Sequence, residues 1–138
     1  MINKAPMIDD LHIRAGLEGL TAGRIITLYR RAPLLRAVDT QERVWQKFEA
    51  STWVLTAWHR DRLAGIARAL SDGVAESYLC ELAVEPDVQR LGVGRALLDA
   101  MVERCRGTSL VLRHSNISSS YYSKLGFSRV ENAWVKAC

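Results

Sequence analysis

The stretch 78-YLCELAVEPDVQRLGVGRALL-98 decides how this chain is read. Its first seven residues are apolar on both faces except at Glu81, the pattern of a strand in the middle of a sheet. Pro86 and Asp87 close that run. Gly92 and Gly94 then open GVGRALLDAMVERCR (92–106), where Val93, Leu97, Ala100, Met101 and Arg104 recur on one face of a helix. Gly107 stops the helix, and SLVLRHS (109–115) follows as a strand. A strand–helix–strand unit needs a crossover, so 78–84 and 109–115 are expected to run parallel.

Working outward, LHIRAGL (11–17) alternates as a first strand. TAGRIITLYRRA (21–32) is an amphipathic helix with Thr21 as its cap, ended by Pro33. Asp39 or Thr40 caps a second helix that runs through VWQKFEA (44–50). STWVLTAWHRDRLAGIARAL (51–70) predicts a hairpin turning at Arg60 and Asp61, and SDGVAES (71–77) a second turn. YYSKL (121–125) is helical, with Gly126 as a C-cap. FSRV and NAWVKAC form a final pair of strands around Glu131–Asn132. The order βααβββαβαββ describes one α+β domain over 1–138, with a single mixed sheet flanked by helices.

Bulk properties exclude several classes. No apolar run reaches the roughly 18 residues of a membrane span. MINKAPMIDD has no apolar signal core, so a cytoplasmic protein is expected and no membrane partner. The 3 cysteines, Cys80, Cys105 and Cys138, are odd in number and lack CxxC spacing, and His12, His59 and His114 share no ligand spacing. No metal site is expected. The net charge of +4 is spread along the chain, which argues against nucleic acid and suits a small polyanionic ligand.

The loop itself has a physical reading. The first N–H groups of a helix have no intrahelical partner, and the helix dipole is positive there. Gly92 and Gly94 let the backbone approach a ligand, while Gln89, Arg90 and Arg95 add donors, so the loop is a candidate diphosphate cradle. A close-packed corner accounts for the same glycines, and these residues alone do not choose. No GK[ST] follows, which excludes a P-loop. Leu97 stands where a dinucleotide fingerprint has its third small residue, and no βαβ unit precedes, which disfavours a nicotinamide enzyme.

LAVEPDVQRLGVGRALL resembles the acetyl-CoA-binding motif of the GCN5-related N-acetyltransferases, the GNAT family. Gln89, Gly92 and Gly94 occupy every fixed position of its Gln/Arg-x-x-Gly-x-Gly/Ala signature. YYSKLGF (121–127) is similar to a second family segment, an aromatic pair followed by a basic residue and Gly-Phe. The order and spacing of the two agree with the family, and so does the element order of the whole chain.

The resemblance implies a GNAT-type fold with central strands that splay apart. It implies acetyl-CoA as co-substrate and a primary amine, on a small molecule or a peptide, as acceptor. The backbone of Leu82, Ala83 and Val84 would hold the pantetheine and thioester carbonyl. The backbone of Arg90, Leu91, Gly92, Val93, Gly94 and Arg95 would hold the diphosphate. Tyr122 matches the family's tyrosine that protonates the leaving thiolate, and Tyr121 packs. Glu81 is the candidate base, directly or through water, with His114 second; a structural pairing of Glu81 with an arginine is its alternative. Relatives carry a pantetheine-contacting asparagine seven residues before the tyrosine. Here position 115 is serine and Asn116 follows one place later, and the serines of NISSS contact CoA or cap the helix. Acceptor sites in the family draw on the segments that here supply Tyr29, Arg30, Arg31, Arg36, Trp45, Trp53, Trp58 and Trp134. Dimers are common in the family, and nothing in the sequence selects one. An acyl-CoA-sensing module without catalysis is the alternative function.

Overall fold

Five strands form one sheet in the order β1-β2-β3-β4-β5. The computed structural model describes residues 8–114 and 119–138. The strands are β1 (Leu11–Ala15), β2 (Trp53–His59), β3 (Arg62–Ser71), β4 (Glu76–Val84) and β5 (Ser109–Leu112). The helices are α1 (Ala22–Arg31), α2 (Gln41–Glu49), α3 (Val93–Arg104) and α4 (Ser119–Lys124). Neighbouring strands are antiparallel except β4 and β5, which the α3 crossover makes parallel.

The caps expected from the sequence are in place. The Thr21 hydroxyl accepts from Arg24 N at 3.1 Å, and the Thr40 hydroxyl from Arg43 N at 3.3 Å. Helices α1 and α2 bury Ile25, Leu28, Tyr29, Val44 and Phe48 against Val54, Ile66 and Ala83 on one face of the sheet. Helix α3 buries Val93, Leu97, Leu98 and Met101 against Leu55, Ala67 and Leu79 on the other. Gly65 lets α3 come this close: a Cβ there would lie 2.9 Å from Leu97 Cδ1 and 3.0 Å from the Ala83 carbonyl.

One irregularity positions everything that follows. Arg68 pairs with Glu81, but the next β3 residue, Ala69, pairs with Leu79, so Cys80 is an extra residue in β4. Such a bulge bends its strand and increases the local twist. It falls where pairing with β5 ends: Leu79↔Leu112 is the last pair. From Glu81 to Val84, β4 keeps β3 on one side, and from Cys80 onward it has no β5 partner on the other.

The expected final strands are a correction. Phe127 packs against Tyr122, but residues 128–138 form neither helix nor strand, and all eleven are exposed. A strand exists through its ladder, and among the described residues no backbone group of another segment bonds to theirs. Strand β5 also ends at Leu112 rather than 115.

Candidate active site

The unpaired edge of β4 borders a cleft of about 720 Å³. Leu79 to Val84 form one wall, and Arg113, His114, Ser120, Tyr121, Tyr122 and Lys124 the facing one. Gln89, Arg90 and Gly94 close one end, and Ala32 to Leu34 with Arg36 lie along the side. The direction of the β4 backbone groups follows from one bond. Glu85 N donates to the Ala64 carbonyl of β3 at 2.9 Å. Backbone groups alternate along a strand, so those of Ala83 also face β3 while those of Leu82 and Val84 face the cleft. The Val84 carbonyl indeed accepts from Gln89 Nε2 at 3.0 Å, on the side away from β3.

Beyond β4 the chain turns twice through left-handed conformations, at Arg90 (φ 69°) and Gly92 (φ 86°). Positive φ is strained for arginine and easy for glycine. The turns aim the start of α3 at the cleft. The bond from Ala96 N to the Gly92 carbonyl, 3.0 Å, opens the helix, which leaves the N–H groups of Val93, Gly94 and Arg95 without intrahelical partners. Gly94 is close to the far wall: a Cβ there would sit 2.9 Å from the Tyr121 hydroxyl. These free N–H groups beside a Cβ-less position fit a diphosphate. The base of the loop is tied down on both sides. Gln89 Nε2 donates to the carbonyls of Ala32 and Val84, each at 3.0 Å, so its amide N–H groups brace the loop. Glu85, buried, pairs with Arg31 at 2.7 Å, and Arg62 grips Asp87 with two bonds of 2.8 and 2.7 Å.

Tyr122 stands on the wall opposite β4, half-buried. Its ring meets Tyr121, Phe127 and His114, with centroids 5.3, 5.8 and 6.2 Å away. Burial, with the neighbouring Tyr121 adding to it, pushes the Tyr122 phenol above its ordinary value of 10.0. The group therefore keeps its proton at neutral pH and can donate it. Tyr121, read from sequence as a packing residue, lies over Gly94 at the cradle.

Glu81 borders the cleft but is buried, and Arg68 binds both its oxygens, Nη2 to Oε1 at 2.9 Å and Nε to Oε2. Arg68 also donates to the Ser51 hydroxyl at 3.1 Å. Burial pushes the Arg68 guanidinium down, and the hydrogen bonds and charge of Glu81 more than reverse this. The phenol of Tyr29 lies near the pair with no hydrogen-bond partner among the described residues. Burial first, then the Glu81 charge, raise it well above 10.0. Arg68 is the residue the sequence reading missed. The available signal was Arg68 as the lone base in the apolar run LAGIARAL (63–70) of β3, beside Glu81 as the lone acid in YLCELAV (78–84) of β4. Asn116 lies outside the described residues.

Of the acceptor-side candidates, Arg36 borders the cleft. Trp58 is core, its Nε1 donating to the Thr56 hydroxyl at 2.7 Å. Arg31 is engaged by Glu85, Trp53 is covered by Arg104, and Trp134 is 98% exposed. Among the described residues, no group of three or more His, Cys, Asp or Glu is placed to hold a metal, and no helix is long and apolar enough to cross a membrane.

A family model for the acetyltransferase (GNAT) domain matches residues 33–137. The chain belongs to the GNAT acetyltransferase family. It is 29% identical over 126 residues to serotonin N-acetyltransferase 2, chloroplastic, of Oryza sativa subsp. japonica. That match covers 83% of this chain, and the chain spans 60% of the rice protein's length. Two solved structures share the fold. One is an acetyltransferase-class protein of Deinococcus radiodurans R1, with TM-score 0.77, 22% identity and coverage of 93% of this chain and 89% of that one. The other is a GNAT-family acetyltransferase of Streptococcus pneumoniae TIGR4, with TM-score 0.71, 20% identity and coverage of 91% and 98%. The α+β fold class, the mixed sheet and the family read from 78–127 are therefore correct.

Proposed function

We propose that this GNAT chain transfers the acetyl group of acetyl-CoA to a primary amine of a small molecule or peptide, by direct attack with both substrates bound. The observation that carries this reading is the free edge of β4, which borders the same cleft as Tyr122 and leads, through the turns at Arg90 and Gly92, to the open N-terminus of α3.

Each part of the cleft then has a task. An extended pantetheine arm adds to the edge of β4 as a short strand, through the backbone groups of Leu82 and Val84. The diphosphate sits on the N–H groups between Arg90 and Arg95. The Leu82 N–H is a donor fixed in place before charge develops on the thioester oxygen. Tyr122, protonated, hands its proton to the departing thiolate, whose conjugate acid has a pKa of about 8.5. Glu81, held by Arg68, keeps one lone pair on each oxygen for a water that accepts the amine proton. Asn116 is retained as a cofactor contact by resemblance, and a cytoplasmic setting belongs to the same proposal.

The acceptor is tested with a panel. The rice relative is named for serotonin, so arylalkylamines belong beside polyamines and peptide amines. Thiol release from acetyl-CoA with at least one amine is expected. No stabilisation of the fold by saturating CoA would overturn the donor site itself. One observation favours the second reading, a non-catalytic acyl-CoA-binding module: the acid nearest the free edge is committed to Arg68. Stabilisation by acetyl-CoA with no thiol release across the panel selects that module.

A further inference from the structure

The cleft carries more positive charge than the proposed donor uses. Arg36, Arg90, Arg113 and Lys124 border it, and among the described residues Glu81 is its one carboxylate. Both Glu81 oxygens are held by Arg68, a further cation, so Glu81 neutralises none of the four. Residues 1–7 and 115–118 contain no Asp or Glu that could do so. Among the described residues, no carboxylate forms an ion pair with any of the four.

Position divides these cations into two pairs. Arg90 stands in the cradle loop. Lys124 follows Tyr121 by three residues on α4 and so shares the face that covers Gly94. A diphosphate uses that pair. Arg113 belongs to the other end: it follows Leu112, the partner of Leu79, and its Nε donates to the Tyr78 hydroxyl at 3.1 Å. The cradle is fixed at Val84, through Gln89. At roughly 3.3 Å per residue, and allowing for the bulge, Tyr78 and Val84 lie about 17–20 Å apart, beyond the reach of one diphosphate. Arg36 lines the side of the cleft, in the connection between α1 and α2. Its charge acts on both walls. Burial, the largest effect in each case, raises the Tyr29 phenol, the Cys80 thiol and the Tyr122 phenol, and the Arg36 charge opposes it in all three. Arg36 is thus within electrostatic reach of the proposed reaction centre.

We propose that the acceptor is a small amine that also carries a carboxylate, and that Arg36 and Arg113 hold the carboxylate while the amine faces the thioester. The inference rests on the acetyl transfer proposed above and narrows its acceptor. A guanidinium offers five N–H donors in a planar fork that matches a carboxylate. Tyr78 takes one of those on Arg113, and among the described residues none on Arg36 is taken. Repulsion sharpens the choice. An alkylamine, with a pKa of about 10.4, arrives as ammonium. A plain amine or polyamine therefore brings net positive charge to an end that already holds two unpaired guanidinium groups, and an amino acid brings none. The carboxylate passes through the reaction unaltered. The amine nitrogen bonds to the thioester carbon, the C–S bond breaks, the thiolate takes the Tyr122 proton, and the amine proton leaves through water.

The test is a ratio of kcat/KM within matched pairs, read by thiol release from acetyl-CoA. Tryptophan is set against tryptamine, phenylalanine against phenethylamine, and γ-aminobutyrate against propylamine, so each pair differs by one carboxylate. The acid is expected to lead in at least one pair by about tenfold, or about 1.4 kcal/mol. Both arginines are exposed, so the lead should shrink at about 0.5 M salt. Arg36→Gln and Arg113→Gln should each cut the ratio about tenfold, through the KM of the acid, while the KM for acetyl-CoA holds. Arg36→Glu should turn the preference toward the plain amine, an inversion that a role in folding alone does not produce. Plain amines leading in the wild type, ratios near one in every pair, or a preference that ignores both arginines would overturn the proposal. So would turnover of a peptide with an N-terminal aspartate and of none of the small acids. Absence of thiol release from every amine counts against acetyl transfer itself. Calorimetry of the CoA-loaded protein with the same pairs then decides separately, and acids that bind no better than their plain amines remove the carboxylate site.

Discussion

Removing Arg68 should do more damage than removing the whole Arg68–Glu81 pair. The pair is bidentate, and the two side chains are 9% and 5% exposed. Arg68→Met leaves Glu81 in the sheet interior without its partner, at a cost of about 3–5 kcal/mol. With an unfolding entropy of about 2.1 cal/mol/K per residue over 138 residues, that lowers the Tm by about 10–17 °C. Such a loss takes a large part of the roughly 5–15 kcal/mol that holds a domain together. Glu81→Met strands the guanidinium and should cost a similar amount. The double variant Arg68→Met/Glu81→Met swaps two charges for apolar side chains of comparable reach and should melt within a few degrees of wild type, since such replacements are neutral or stabilising. Denaturant melts of the four proteins give the coupling energy directly. Additive single costs in the double variant would refute a mutually dependent pair.

The same four proteins separate fold from chemistry. With the sheet restored, the double variant lacks the carboxylate and the guanidinium that holds it, and keeps the rest of the cleft. If Glu81 orders the water that takes the amine proton, kcat at neutral pH falls by about 10²–10⁴ and recovers as pH rises and the amine deprotonates unaided. An unchanged neutral kcat in the folded double variant removes Glu81 from the reaction and leaves it a structural residue.

Tyr122→Phe should lower kcat by about 10²–10⁴ while the KM for acetyl-CoA holds, measured by thiol release; because burial raises this phenol, the wild type should show no alkaline loss of rate from it below about pH 10. Gly94→Ala places a methyl 2.9 Å from the Tyr121 hydroxyl, the end of a side chain that can swing, so the melt should barely move while acetyl-CoA affinity falls by about tenfold, or about 1.4 kcal/mol, by calorimetry. Gly65→Ala meets the Ala83 backbone carbonyl at 3.0 Å, which cannot swing, and should cost about 1–3 kcal/mol in a denaturant melt. Tyr29 has a raised phenol, so above about pH 10 the unfolded chain releases that proton before the folded one does; folding then loses stability as pH rises through the folded value, and below that window the term is fully present. Tyr29→Phe, which deletes a buried hydroxyl with no bond partner among the described residues, should melt like wild type at pH 7 and lose less stability at alkaline pH.

What could be read from sequence was set by backbone demands. Gly92 and Gly94 announce a left-handed turn and a close approach, and Thr21 and Thr40 announce helix starts; each is a local requirement that a few adjacent residues satisfy. The Cys80 bulge left no such mark. It is a matter of register between β3 and β4, fixed by how Arg68 and Glu81 pair across the ladder, and neither strand alone reveals it. The same holds for Arg68, whose meaning depends on a residue thirteen positions away. The final strands failed for a related reason. NAWVKAC carries the pattern of a strand, but a pattern specifies a face and not the neighbour that must complete the ladder.

That distinction explains why the two halves of the cleft differ in legibility. In the proposed function a diphosphate and a pantetheine are gripped by N–H and C=O groups, which every residue has, so the sequence needs only to permit the right backbone path. Gly92, Gly94 and the helix start do that. In the same proposal an amine acceptor would be chosen by side chains from separate elements, and of the charged acceptor-side candidates Arg36 borders the cleft. The side of the cleft facing β4 carries Arg113 and His114 just past β5, a strand of only four residues, so its placement is set by the edge of the sheet and not by any local motif.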